Sequence, residues 1–324
     1  MENVGRSLLI YIPCHSDFDL AIIQAKQIQR EFRRYKKNKN SFIQKIEIII
    51  SVNYFEPSKP QLELANTVAD LVILNTKLLL ADANIANGFM VAYQRGADFF
   101  WILSANDELL DLGFSKMANA LNIEVDLLVT CIPEANQMSI INNVINPSIK
   151  GYSFGLISGV IYNCRTLKLF FNTSQFFIWT GWSQLSVIQN AINQKGFLKI
   201  KSINTFEIYK QKQTEPGELA HKYGHSFYGY ILLGCIFAKT KNEKKKFITT
   251  YIIRNTFRIS LYRRKVPASN KIINSDNYLY WNQDLAEAAI KHSSIILYFY
   301  YYLFCRLPFF RLTRKFNHSK KKLL

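Results

Sequence analysis

Five cysteines, thirteen glycines and eight prolines are few for a chain of 324 residues, and each scarcity closes off a class of protein. Cys14, Cys131, Cys164, Cys235 and Cys305 are scattered, odd in number and form no CxxC pair. They suggest neither a disulfide framework nor a structural zinc site, so a reducing compartment is expected. Sparse Gly and Pro exclude collagen-like and low-complexity composition. Long apolar runs are also missing. Phe227–Ala238 and Ile295–Cys305 both fall short of the roughly 20 residues a spanning helix needs. Leu8–Ile12 is cut at Pro13, too early for the core of a signal peptide, so the folded part is expected to stay in the cytoplasm. His221 and His225 have helical spacing but no HExxH glutamate, and Tyr223-Gly224 interrupts them, which argues against a zinc helix.

What is present is a large apolar and aromatic content, 49% and 14%, enough to build a sizeable core. Ile, Asn, Lys, Phe and Tyr are abundant, as in an AT-biased genome, so some of the lysine carries no message. The charge is uneven. Residues 1–200 hold 18 basic and 16 acidic side chains, whereas residues 201–324 hold 23 and 7. The first part reads as an ordinary folded domain; the second seeks an anionic partner, a membrane face or a nucleic acid.

Up to residue 203 strand-like and helix-like segments alternate. Leu8–Ile12, Ile46–Val52, Ala69–Leu74, Phe99–Leu103 and Val125–Ile132 are short apolar runs that predict strands. Asp19–Tyr35 predicts a helix with a basic outer face. Asn84–Arg95 predicts another, with Ile85, Phe89 and Ala92 or Tyr93 on one side and Gly96 closing it. Such alternation implies an α/β fold with a mainly parallel sheet covered by helices. Its ligand edge lies beyond the C-terminal ends of the strands. Gly151–Asn163 predicts a strand with close backbone approach at Gly155 and Gly159. Trp179–Lys195 predicts a helix, and Leu198–Ile203 a last strand. Pro216-Gly217, in a polar stretch, marks a linker, giving an α/β domain over 1–210 and a basic, aromatic extension over 211–324.

The segment 78–109 reads LLLADANIANGFMVAYQRGADFFWILSANDEL: a polar helix start at Asp82-Ala-Asn84, a helix, a strand, then Ser104-Ala105-Asn106-Asp107. A carboxylate there can hold a hard divalent cation against a pyrophosphate. The stretch resembles the family-2 glycosyltransferases of the GT-A fold, with Ser104–Asp107 in the place of their Asp-x-Asp-Asp-like motif and one acid retained. Pro13 after the first strand matches that family's start. Ser51–Asn53 stands where the family has an Asp-rich turn, and GLISGVIYN at 155–163 resembles its segment beside the acceptor. The resemblance spans about residues 7–203. It implies a GT-A-like sheet, a nucleotide-sugar donor and inverting transfer. It also implies nucleotide-sugar contacts at Pro13, with Cys14 or His15 and Asn53 along the base, Asn84 near the sugar–phosphate, Asn106 on the ribose or a phosphate, and Asp107 on the metal. With Ser104 and Asn106 where acids are usual, the cation (Mn or Mg) is expected to be weakly held or dispensable. Trp179–Gln184, WTGWSQ, lies where the family carries its general base and has no carboxylate.

Plainer readings stand beside these. Asp107 could cap a helix starting at Glu108, Asn84 could be an N-cap, His15 could be a structural loop residue, and Trp179 and Trp182 could belong to the core. In the extension, Tyr298–Tyr302 followed by Arg306, Arg311, Arg314 and Lys315 reads as an element lying in a membrane interface, on the cytoplasmic side. This suits a lipid-linked or glycan acceptor in surface polysaccharide synthesis. Two alternatives are a nucleic-acid binder using Arg254, Arg258, Arg263, Arg264 and Lys265 with Tyr251, Phe257 and Tyr262, and an inactive GT-A-like binding protein.

Overall fold

The computed structural model describes residues 5–14, 18–38, 41–53, 56–75, 81–131, 137–145, 154–155, 157–211, 228–262 and 277–303. The chain divides into two compact units, Met1–Gln213 and Thr214–Leu324.

The first unit carries strands β1 (Arg6–Cys14), β2 (Ile43–Asn53), β3 (Leu71–Asn75), β4 (Phe99–Ile102), β5 (Asp107–Leu109), β6 (Leu127–Cys131), β7 (Met138–Ile141), β8 (Val160–Asn163), β9 (Leu198–Asn204) and β10 (Tyr209–Gln211). Eight of these form one sheet in the order β3-β2-β1-β4-β8-β6-β9-β7, and β10 pairs with β5. The pairs β1–β2, β1–β4, β2–β3 and β6–β9 are parallel. Within the described part of the eight-stranded sheet only β8, between β4 and β6, and the edge strand β7 run antiparallel to their neighbours, and the separate β5–β10 pair is antiparallel. This is the expected α/β class with a mainly parallel sheet.

The helices are α1 (Phe18–Lys36), α2 (Lys59–Val68), α3 (Ala81–Arg95), α4 (Gly113–Ala120), the single turns α5 (Cys164–Leu167) and α6 (Thr173–Phe176), and α7 (Ser183–Lys195). Every residue of β1 from Leu8 to Cys14 is buried, the continuous run of a strand covered on both faces. Successive side chains alternate between those faces. Leu8, Ile10 and Ile12 join the core cluster with Ala21, Ile22, Ala25 and Ile28 of α1. Tyr11 points the other way, against Gly88 of α3, where an added Cβ would stand 2.8 Å from the phenol ring. On that α3 side Phe89 packs edge-on to Phe100, Tyr162 and Phe171 at 5.0–5.3 Å. Gly96 ends α3 at φ 67°, the left-handed stop that glycine supplies at least cost.

Several elements depart from the sequence reading. Of Gly151–Asn163 only Val160–Asn163 is strand; Ile157–Gly159 is a 3-10 turn, and 151–153 and 156 lie outside the described residues. The helix expected from Trp179 begins at Ser183, because Gly181 turns left-handed at φ 74° after a 3-10 turn over Ile178–Thr180. Helices α2 and α4 and strands β5, β7 and β10 were not anticipated. β7 is an edge strand whose Met138 and Ile140 face outward, and β5 and β10 are three-residue strands that exist only through each other.

The described part of the second unit is helical: α8 (228–237), α9 (Lys241–Tyr262), α10 (Asn277–Ser293) and α11 (Ile295–Tyr301). Tyr230, Phe247 and Tyr251 pack ring on ring at 4.7–5.8 Å. The buried Tyr301 hydroxyl donates to Glu287 at 3.0 Å and receives the Tyr228 hydroxyl at 2.9 Å. α11 is therefore split. Leu297 and Tyr301 are core, while Ile295, Ile296 and Phe299 are exposed. Among the described residues no helix is long and apolar enough to cross a membrane. Pro216-Gly217, His221, His225, Arg263–Lys265 and 304–324 lie outside the described residues.

Candidate active site

The parallel strands end together. Register sets Pro13 opposite Ser51 and Cys14 opposite Val52, and Asn53 opposite Asn75. It also sets Tyr11 opposite Ile102, after which the Leu103 N–H donates to Tyr11 O at 2.9 Å. Pro13, Cys14, Asn53 and the turn 104–107 thus leave the sheet along one edge. Pro13, Cys14 and Asn53 are buried and form its floor; His15 lies outside the described residues.

Asn84 sits in the first turn of α3 and is fully buried, so it is not the cap of that helix. Its Oδ1 accepts the Tyr11 and Ser51 hydroxyls, each at 2.7 Å. Its Nδ2 donates to Ser51 O at 3.3 Å. Asn75 completes the network, donating to Ser51 Oγ at 3.0 Å and to Val52 O at 2.8 Å. Burial pushes the Tyr11 phenol well up, so it remains a donor. Asn84 therefore ties α3 to the ends of β1 and β2.

Asp107 opens β5 and is only 8% exposed. Glu108 follows it in the strand, so the helix-capping alternative falls. The Ser158 hydroxyl donates to Asp107 Oδ2 at 2.5 Å, and Ser158 Oγ in turn receives the Ser104 N–H at 2.9 Å. The turn is closed by Asp107 N–H to Ser104 O at 3.0 Å and Asn106 N–H to Ser104 Oγ at 3.2 Å. Asn106 is exposed. Burial raises the Asp107 carboxyl to about 6, opposed by the Ser158 hydrogen bond. Among the described residues no three His, Cys, Asp or Glu side chains gather into a metal cluster.

A second buried carboxylate stands at the start of α3. Asp82 receives the Ser183 N–H at 3.2 Å and the Ser183 hydroxyl at 3.1 Å, while the Trp182 N–H donates to Thr180 Oγ1 at 3.1 Å. Desolvation nonetheless raises its carboxyl to about 7. The segment WTGWSQ has no acid of its own, but Asp82 brings one to it. Both bonds come from Ser183, the first residue of α7, so Asp82 pins the start of that helix. Ser158 and this use of Asp82 were not identified from sequence, since no local pattern marks either pairing.

No protein-family model matches the chain, and no curated protein matches it. Among solved structures the chain is similar to S. aureus TarS 1–349 in complex with UDP-GlcNAc, at 11% identity over 90% of this chain and 82% of that one, with a TM-score of 0.51. TarS 1–349 also aligns in a second structure at 12% identity, 90% and 82% coverage and a TM-score of 0.47. 4-Diphosphocytidyl-2C-methyl-D-erythritol synthase aligns at 11% identity, 67% and 96% coverage and a TM-score of 0.40. At this identity the likeness is one of fold, a GT-A-like α/β architecture.

Proposed function

We propose that the chain is a glycosyltransferase that moves a sugar from a nucleotide-sugar donor to a hydroxyl of a glycan or lipid-linked acceptor in surface polysaccharide synthesis. The observation that carries this reading is the placement of Asp107. It is a buried carboxylate beyond the end of β4, on the edge where β1 and β2 also end, which is where ligands bind in open α/β sheets. The TarS structure of this fold holds UDP-GlcNAc, which supports a nucleotide-sugar donor here.

In this reading Asp107 would hold a divalent cation, its Oδ2 accepting from Ser158. One carboxylate is a thin protein share, and it fits a cation held mainly by diphosphate oxygens, as Mg²⁺ and Mn²⁺ accept. Such a cation supplies charge stabilisation to the departing diphosphate. Ser158 and Ser104 fix the Asp107 turn, Asn106 is free to meet the ribose or a phosphate, and the Asn84 network holds the floor rigid. The acceptor hydroxyl gives up its proton to water as its oxygen bonds to the anomeric carbon and the bond to the diphosphate breaks, with inversion in the family that the motif resembles.

The second unit supports peripheral membrane attachment on the cytoplasmic face. α11 exposes Ile295, Ile296 and Phe299, and residues 304–324 carry seven Lys and Arg with no acid. Apolar side chains beside a basic stretch suit the wet boundary of an anionic bilayer.

Thermal-shift measurements with a panel of nucleoside diphosphates, with and without Mn²⁺, test the donor reading. A ligand that binds only the folded state raises its melting point by mass action. The proposal expects at least one diphosphate to do so; no shift with any of them would overturn it.

A further inference from the structure

The outer face of α1 carries a charge pattern that the candidate site does not use. Lys26, Arg30, Arg33, Arg34 and Lys37 recur at helical spacing, and all five are exposed. Together with Gln29 they line an open groove of about 530 Å³, a size within the range of small-ligand clefts. α1 returns from the ligand edge toward the start of β2. At 1.5 Å per residue the groove begins about 12 Å from Phe18 and runs about 16 Å further from that edge.

Little within the chain answers this charge. Glu31 turns inward with its side chain 1% exposed, accepts the Leu112 N–H at 3.0 Å and reaches Arg30 only at 3.8 Å. Asp111 pairs with Arg34 at 2.8 Å, but both partners stand in solvent, where such a pair contributes little. Arg33 meets a neutral group, Gln29 Oε1 at 3.4 Å, and Gln29 Nε2 is anchored on Val68 O at 3.0 Å. Lys26 and Lys37 have no acid partner among the described residues. Like charges at i,i+4 destabilise a helix, and Lys26–Arg30, Arg30–Arg34 and Arg33–Lys37 are three such pairs. The helix dipole offsets the repulsion in the last turn, where Arg33, Arg34 and Lys36 sit, but not at Lys26 and Arg30. An anion lying along the groove relieves all three pairs at once.

The donors also say which anion. Three guanidinium forks suit phosphate oxygens taken two at a time. Cations spread over a length of about 16 Å suit several anionic groups in series better than one. No aromatic side chain lines the groove, so nothing there would stack on a nucleobase.

We propose that the α1 groove is an anion site, separate from the strand-end edge, for a ligand bearing two or more phosphate groups in series. That chemistry belongs to a free oligophosphate or to a phosphorylated lipid headgroup. The site does not depend on the donor reading.

Tripolyphosphate and phosphatidylcholine vesicles containing a phosphatidylinositol bisphosphate are the two probes. Each is titrated into the full chain with a chelator present, so that no divalent cation bridges it to Asp107. The wild type is expected to bind at least one of them, less tightly as salt rises. Arg30→Glu/Arg33→Glu should weaken that binding about tenfold or more, since two charge-assisted contacts become repulsive. Lys245→Glu/Lys246→Glu makes the same change of charge on exposed positions of α9 and should leave the binding within about twofold. The α1 variant turns the three repulsive pairs into attractive ones. It should therefore melt no lower than the wild type in low salt, which separates lost binding from lost structure. If it fails to fold, Arg30→Gln/Arg33→Gln decides by the same titration, with a loss of about threefold or more. A loss with tripolyphosphate names a free ligand, and a loss with the vesicles alone names a headgroup. No binding of either probe by the wild type, equal binding by the α1 variant, or an equal loss in the α9 control overturns the site. An effect confined to a single-stranded oligonucleotide overturns it in favour of a nucleic-acid surface.

Discussion

The Ser158 hydroxyl donates to Asp107 across 51 residues of sequence and accepts the Ser104 N–H from the other side of the same turn. One hydroxyl thereby orients the carboxylate and ties off the loop that carries it. Ser158→Ala should cost about 1–3 kcal/mol in denaturant unfolding, since both partners are left unmet. It also removes the hydrogen bond that opposes burial at Asp107, whose carboxyl is raised to about 6, so the group should titrate higher. Cation-dependent nucleotide binding needs the carboxylate and should rise with pH through about 6 in the wild type. The variant should show the same rise displaced upward; an unmoved profile would mean Asp107 is not the titrating group.

Asp82 gives a prediction of opposite character, on stability. Its carboxyl is raised from 3.8 to about 7, so the folded state binds this proton more tightly than the unfolded chain. The stability it contributes is complete below pH 4 and is lost as pH rises through about 7. Asp82→Asn keeps an acceptor for the backbone donors and cannot ionise. Its unfolding free energy should therefore change less between pH 4 and 7.5 than that of the wild type, and parallel curves would contradict the assignment.

Asn84 and Asn106 should separate framework from ligand contact. Asn84→Leu strands the Tyr11 and Ser51 hydroxyls and should destabilise the fold by about 2–4 kcal/mol. Asn106 is exposed, so Asn106→Ala should stay within about 0.5 kcal/mol of the wild type while lowering nucleotide affinity. Calorimetric titration and unfolding of both variants check the split.

What could be read from sequence follows from how local each signal is. β1, α1, β2 and α3 announce themselves because burial on one or two faces leaves a periodic or continuous apolar pattern, and Gly96 marks a stop that needs positive φ. Asp107 was visible because it follows a strand. Ser158 and Asp82 were not, since their roles depend on partners 51 and 101 residues away, and nothing beside either names its partner. β5 and β10 fail for the same reason: three residues have no period, and the ladder joins Asp107 to Gln211.

The second unit sets where a truncation must begin. Leu297 and Tyr301 are core, and Tyr301 binds Glu287 and Tyr228, so cutting at residue 293 would open the unit. Removing 304–324 should leave helices α8 to α11 folded and reduce sedimentation with anionic liposomes at least severalfold, each lost cation near the surface being worth about 1 kcal/mol. Ile296→Asp, on the exposed side of α11, should weaken it further. Undiminished sedimentation in the truncated chain would remove the membrane reading.

The most direct test of the central claim is calorimetric titration of UDP, with Mn²⁺ present, into the wild type and Asp107→Asn at pH 7.5. The account predicts binding by the wild type and at least a tenfold weaker constant for the variant, with the difference abolished when Mn²⁺ is replaced by a chelator. Equal affinity of the two proteins in the presence of Mn²⁺ would contradict it.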